Sequence, residues 1–183
     1  MDSTRMTVMM LGAFVVVGTF VYVNSMGIVG EGSTVHISRA CMSGKHKGGS
    51  WRSVMPLEAP PKLGQRVIVE VPGQIDRLEG RVLGIPGDTI TVTIHQVLRN
   101  GEATDRTPTP HSHPAYPSWI EHTGTARHKV SYAAQFPLTQ HHVTVPPGRV
   151  FVMGDQRWGK ERCTEGLGLV ETALVAGLSP WPD

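Results

Sequence analysis

A mainly β domain carried on one N-terminal transmembrane helix is what this sequence predicts, and three observations predict it. The segment Met6 to Val23, "MTVMMLGAFVVVGTFVYV", is an uncharged run of 18 residues. At 1.5 Å per residue it spans roughly 27 Å, close to the thickness of a bilayer's hydrocarbon core. Beyond it the chain is a succession of short β-rich runs, "QRVIVEVPG", "RVLGIPGDTITVTIHQV" and "HHVTVPPGRVFVMGD", each broken by a Pro-Gly or Pro-Pro-Gly turn. The length, 183 residues with 39% hydrophobic, suits one domain with a real core plus an appendage and is short for two ordinary domains. The expected division is therefore an N-terminal segment and helix over 1–30 and a β domain over 31–183.

Taken in order, the helix comes first. Its apolar core exceeds the 7 to 15 residues of a cleaved signal sequence, which favours a permanent anchor. Arg5 lies on one side of it and Arg39, Lys45 and Lys47 on the other, a count that slightly favours an inward-facing C-terminal side. "GSTVHISRACMSG" then alternates partially, with Val35 and Ile37 on one side, and predicts a short strand ending in a Gly turn. Residues 44–62 are broken by Gly and Pro and read as a loop. The next three strands form a meander, the last with Ile90, Val92 and Ile94 alternating against Thr89, Thr91 and Thr93. Residues 99–142 are rich in Pro, His and Thr and short of aliphatic side chains. They read as an insertion over the surface or against a neighbour, with a small strand at "RHKVSYA". "GLGLVETALVAG" closes the domain as a strand or short helix.

Composition excludes some functions. A net charge of +2 with 17% charged residues gives no clustered basic face for nucleic acid. Two cysteines, Cys41 and Cys163, are not a disulfide framework, and whether they pair is open. Nine histidines, His111, His113, His122, His128, His141 and His142 among them, match no zinc-binding spacing. No cofactor or metal is expected. The expected partners are the lipid bilayer and other subunits of a membrane complex.

Three stretches, "GRVLGIPGDTITV", "VPPGRVFVMGD" and "GLGLV", together resemble the boxes of the type I signal peptidases, the mitochondrial inner membrane peptidases among them. Arg81, Gly84, Pro86, Gly87 and Asp88 fit the family's second box in register, and Gly154 and Asp155 fit its Gly-Asp box. The resemblance implies an antiparallel, barrel-like domain of coiled sheets on the anchor. It also implies a serine nucleophile and a lysine general base, since a hydroxyl attacks only once a base takes its proton. In the family that lysine precedes the arginine matched by Arg81; here the position holds Gly80, which has no proton acceptor.

Two alignments compete for the nucleophile. "CMSG" puts Cys41 at the position with Met42 after it, but Gly44 replaces the family's Pro; "SVMP" supplies Ser53 and Pro56, with Met55 displaced by one and a longer path to Gly64. Cys41 has the strand-like approach and Ser53 the better chemistry. After Asp155, Gln156 replaces the family's Asn, and Lys160 stands where a lysine-supporting Ser belongs, which makes it a speculative replacement base. Pro86, Gly87, Asp88, Gly154 and Asp155 also have a purely structural reading, as turns. The carboxylate of Asp155 would then cap backbone N–H groups. The expectation is a peptidase homologue without hydrolytic activity, an accessory or structural subunit of an inner-membrane assembly, mitochondrial first and bacterial plasma membrane second. The alternative is an active serine endopeptidase removing N-terminal sorting peptides from precursors.

Overall fold

The computed structural model describes residues 34–40, 50–73, 77–93, 96–110, 112–132, 141–157 and 167–180. All lie in the compact unit Glu31–Asp183. The expected transmembrane helix, Cys41, Lys160 and Cys163 fall outside the described residues. Among the described residues no helix is long and apolar enough to cross a membrane.

The described chain is almost entirely strand: β1 (Thr34–Ala40), β2 (Ser50–Ser53), β3 (Arg66–Glu70), β4 (Arg77–Gly84), β5 (Thr89–Val92), β6 (Val97–Arg99), β7 (Glu102–Ala103), β8 (Arg106–Pro108), β9 (Ser118–Thr123), β10 (Ala126–Tyr132), β11 (His141–Thr144), β12 (Arg149–Met153), β13 (Gln156–Arg157), β14 (Gly168–Glu171) and β15 (Val175–Leu178). A turn of 3-10 helix, Thr172–Leu174, separates the last two, so "GLGLVETALVAG" is strand and short helix both.

The strands form three sheets. One runs β14-β12-β4-β1-β2, with β3 and β15 joined to it through β4; the others run β13-β10-β9-β8 and β11-β5-β6-β7. The pairing is antiparallel except for β1 with β4 and β10 with β13. Among the described residues the strands fall into three sheets, mainly antiparallel, as the sequence led one to expect. The Pro/His-rich insertion is also more regular than expected, because β8, β9 and β10 come wholly from it.

β4 is the centre of this arrangement, and alternation explains why. Side chains along a strand point to opposite faces in turn. Val82 joins a cluster with Val67, Val69, Val150, Val152, Val170 and Val175, while Leu83 joins another with Ile90, Val92, Val97, Val130, Tyr132, Val145, Phe151 and Met153. β12 divides itself the same way, Val150 and Val152 against Phe151 and Met153. Both strands are thus covered on two faces, and each buried aliphatic side chain contributes about 1.5–3 kcal/mol relative to exposure.

The Ile85–Asp88 turn leaves β4 as the sequence predicted. Asp88 N donates to Ile85 O at 3.0 Å, and Gly87 at φ 93° follows Pro86, the pattern of a type II turn that glycine accommodates without strain. Asp88 is buried and does more than turn the chain. Its carboxylate accepts from Ile85 N at 3.0 Å, Arg99 Nε at 2.8 Å and Asn100 Nδ2 at 3.0 Å, stitching the turn to β6.

Candidate functional site

One edge of β4 changes partner along its length. β1 runs beside its first half and ends with Ala40 opposite Glu79; β12 runs beside its second half and ends with Met153 opposite Arg81. Gly80 lies between those two ends, while on its other edge it pairs with Val67 of β3. Gly80 is therefore a junction at which two strands, approaching along β4 from opposite ends, both stop.

Gly80 faces the same side as Val82, toward the valine cluster. A Cβ built on it would stand 2.6 Å from Val152 Cγ1 and 2.9 Å from Leu167 Cδ1. Apolar surroundings of this kind lower a lysine's pKa, because burial disfavours the charged form. Aliphatic side chains thus crowd the position where the resemblance puts the base.

The opposite face of β4 carries two buried polar clusters. Arg81, 1% exposed, donates through Nε to Asp155 Oδ1 and through Nη2 to Asp155 Oδ2, both at 3.0 Å, and through Nη1 to Gly64 O at 2.7 Å. His128 Nδ1 lies 3.4 Å from Asp155 Oδ1, and His128 Nε2 lies 3.1 Å from Thr123 Oγ1. Among the described residues the Asp155 carboxylate thus meets a guanidinium and an imidazole, where the sequence suggested backbone N–H groups. Two residues earlier in β4, Glu79 accepts from Arg66 Nη2 at 3.0 Å and from Ser179 Oγ at 2.5 Å.

A further cluster joins Arg157, Glu121 and Tyr132. Arg157 Nη1 donates to Glu121 Oε1 at 3.0 Å and Nη2 lies 2.8 Å from Oε2; Tyr132 Oη donates to Glu121 Oε1 at 2.9 Å and accepts from Arg157 Nη1. Burial opposes the charge on Arg157, but Glu121 and Tyr132 outweigh it and raise its pKa. Burial, and then the Glu121 carboxylate, push the Tyr132 phenol up to about 12 against the pull of Arg157. Buried charges persist only when paired and hydrogen-bonded, and this cluster ties β9 and β10 of the insertion to β13.

Ser53 stands apart from all of this. It ends β2, exposed, opposite Thr34. Val54 is buried behind it, and Met55 bridges to Leu178 through Met55 N to Leu178 O at 3.0 Å and Leu178 N to Met55 O at 2.8 Å. Ser53 opens on a groove of about 560 Å³ whose lining includes Met55, Leu57, Glu58, Lys62, Gln65 and Leu178. Gly84 closes β4 under Ile90, and Gly154 is buried between β12 and β13.

Sequence reasoning therefore singled out Arg81, Asp88 and Asp155 but missed Arg99 beside Asp88, His128 beside Asp155 and Thr123 behind His128, and it missed Lys62 at the Ser53 groove. Among the described residues no three His, Cys, Asp or Glu side chains could hold a metal ion together.

With this geometry in place, comparison with known proteins decides the family. The family model described as signal peptidase, peptidase S26, matches residues 2–159. The chain belongs to the signal peptidase family. Signal peptidase I of Bacillus amyloliquefaciens is 29% identical over 120 residues, 64% of this chain and 56% of that protein, and signal peptidase I of Bacillus licheniformis matches to the same extent. The match spans a little over half the length of these relatives. Among solved structures, a signal peptidase I from Enterococcus faecalis V583 is similar over 66% of this chain and 97% of that one, with 21% identity and a TM-score of 0.40. Within the signal peptidase family, then, this chain keeps the arginine and aspartate of two boxes as a buried ion pair and has glycine where the resemblance puts the base.

Proposed function

We propose that this signal-peptidase homologue does not hydrolyse peptides through the family's Ser–Lys pair and serves as an accessory or structural subunit of an inner-membrane complex. The observation that carries the reading is Gly80 itself, which offers no amine where the resemblance puts the base, with Val152 Cγ1 and Leu167 Cδ1 2.6 and 2.9 Å from where even a Cβ would stand. The scaffold around that seat is intact while the group that would do chemistry is gone, which is the pattern of a fold retained for another purpose. The apolar run Met6–Val23 supports attachment to a bilayer. The mitochondrial inner membrane is the location expected from the sequence, and the bacterial relatives support a bacterial plasma membrane as the other; membrane fractionation of the source cells separates them.

The test is turnover. Full-length protein purified in detergent, offered a fluorescent precursor peptide, is expected to release no product, and to co-purify with other membrane subunits. Cleavage that disappears in Ser53→Ala or Cys41→Ala would overturn the proposal. That outcome is the second reading, an active serine endopeptidase removing N-terminal sorting peptides from exported or intermembrane-space precursors. The exposure of Ser53 at a groove favours it.

A further inference from the structure

The hairpin between β6 and β7 turns on Asn100 and Gly101, with φ 55° and 84°. Positive φ at both central residues is what a tight type I′ hairpin requires, and Asn-Gly is the pair that supplies it most readily. Among the described residues Asn100 is the one non-glycine residue with a positive φ. The chain has one other asparagine, Asn24, and serine follows it.

The Asn100 side chain is also structural. Its Oδ1 accepts from Thr89 N at 2.8 Å and its Nδ2 donates to Asp88 Oδ1 at 3.0 Å, while Asn100 N donates to Thr89 O at 2.8 Å. One amide thus turns an acceptor toward a backbone N–H and a donor toward a buried carboxylate. An ionised carboxylate cannot replace it, since it has no hydrogen to give and sets a second negative charge against Asp88. Gly101 beside it is open. Among the described residues its N–H has no hydrogen-bond partner, and apart from its chain neighbours nothing lies within 4 Å of where a Cβ would stand.

We propose that Asn100 is a site of self-modification, a deamidation whose co-reactant is water, and that its bonds to Thr89 and Asp88 restrain it. Gly101 N–H gives its proton to solvent base and the nitrogen attacks Asn100 Cγ. The new N–C bond closes a cyclic imide as the Cγ–Nδ2 bond breaks and ammonia departs. Water then adds to either imide carbonyl and opens the ring, leaving aspartate or isoaspartate at position 100. Glycine puts no side chain in the way of that ring. Attack makes Cγ tetrahedral and draws the amide out of its plane, so the bonds to Thr89 N and Asp88 must open first. The ionised product cannot remake the bond to Asp88, and each event removes one of the two side-chain bonds, from Arg99 and Asn100, that stitch the Ile85–Asp88 turn to β6 and its hairpin. The loss is irreversible and needs no enzyme, so the state of this hairpin follows the age of the molecule.

Full-length protein in detergent, aged at mildly alkaline pH and mapped by peptide mass spectrometry, is expected to gain aspartate and isoaspartate at Asn100 faster than at Asn24. The same protein unfolded in urea should convert at Asn100 on the order of tenfold faster, because the bonds that restrain the amide are then absent. Asp88→Ala, which removes the acceptor of Nδ2, should convert at an intermediate rate. Asn100→Asp, which makes one product directly, should unfold at lower urea than wild type, and Asn100→Gly should age without change at this turn. Conversion at Asn100 no faster than at Asn24, equal rates in folded and unfolded protein, or Asn100→Asp as stable as wild type overturns the inference. Peptide turnover moves none of these readings, so failure here and failure of the accessory reading are distinct.

Discussion

Arg81 and Asp155 face each other through two parallel hydrogen bonds of 3.0 Å, with both side chains almost fully removed from solvent. The bidentate geometry matches a planar guanidinium to a carboxylate. Because the same guanidinium holds Gly64 O and the same carboxylate meets His128, this pair joins β4, the end of β12, the turn before β3 and the β9–β10 hairpin.

Breaking that pair from one side leaves a buried charge with no counter-ion. Asp155→Ala is expected to destabilise the protein by about 3–5 kcal/mol, and Arg81→Lys, which cannot form the fork, by a smaller amount. Urea unfolding of the purified protein measures both. The double variant Arg81→Met with Asp155→Leu should recover much of the loss, since no charge is then stranded. A double variant no more stable than Asp155→Ala would show that the pair is not the source of the effect.

Restoring the family residue at position 80 should be costly. Gly80→Lys would drive its Cβ against Val152 Cγ1 and Leu167 Cδ1, and overpacking of this kind costs typically about 1–3 kcal/mol. Val152→Ala removes the nearer of the two contacts. Placed in the Gly80→Lys background, it should therefore cost less than it does in the wild type, and a thermodynamic cycle of the four proteins checks that sign.

Asp88 gives the fold an acid-sensitive hairpin. Burial alone would raise its pKa, but the bonds from Arg99, Ile85 N and Asn100 outweigh it and hold the carboxyl below its usual 3.8. A depressed folded pKa contributes stability that is present above the unfolded value and lost as pH falls through the folded one. Wild-type stability should therefore decline below about pH 4, and Asp88→Asn should be less stable at neutral pH yet flatter across that acid window. Denaturation midpoints measured down the pH scale decide it.

How much of this was legible follows from where each signal resides. The Ile85–Asp88 turn could be read because Pro86 and Gly87 act on their own backbone. The Arg81–Asp155 pair could not, since its members are 74 residues apart and only the tertiary fold brings them together. In the insertion, β9 buries Ser118, Glu121 and Thr123. Ser118 is on the other face from Glu121 and Thr123, whose face adds only one apolar residue, Trp119, so hydrophobic alternation, the usual strand signal, was absent. β10 was legible because Val130 and Tyr132 alternate inward with His128. At Gly80 the sequence showed what was missing, but not that Val152 and Leu167 would fill the space, because packing across strands is not written at either position alone.

Tyr132 should give the opposite pH signature to Asp88. Its phenol is raised to about 12, mainly by burial and then by the Glu121 carboxylate, with Arg157 pulling the other way. A raised folded pKa means that the folded protein holds the proton more tightly than the unfolded chain. The stability it confers is therefore complete below the ordinary tyrosine value near pH 10 and is lost as pH rises toward about 12. Tyr132→Phe removes the ionisable group and leaves Glu121 with Arg157 alone, so it should be less stable at neutral pH by about 1–2 kcal/mol and should lose stability less steeply above pH 10. Unfolding curves for wild type and Tyr132→Phe across the alkaline range test both parts, and parallel declines would locate the alkaline sensitivity elsewhere.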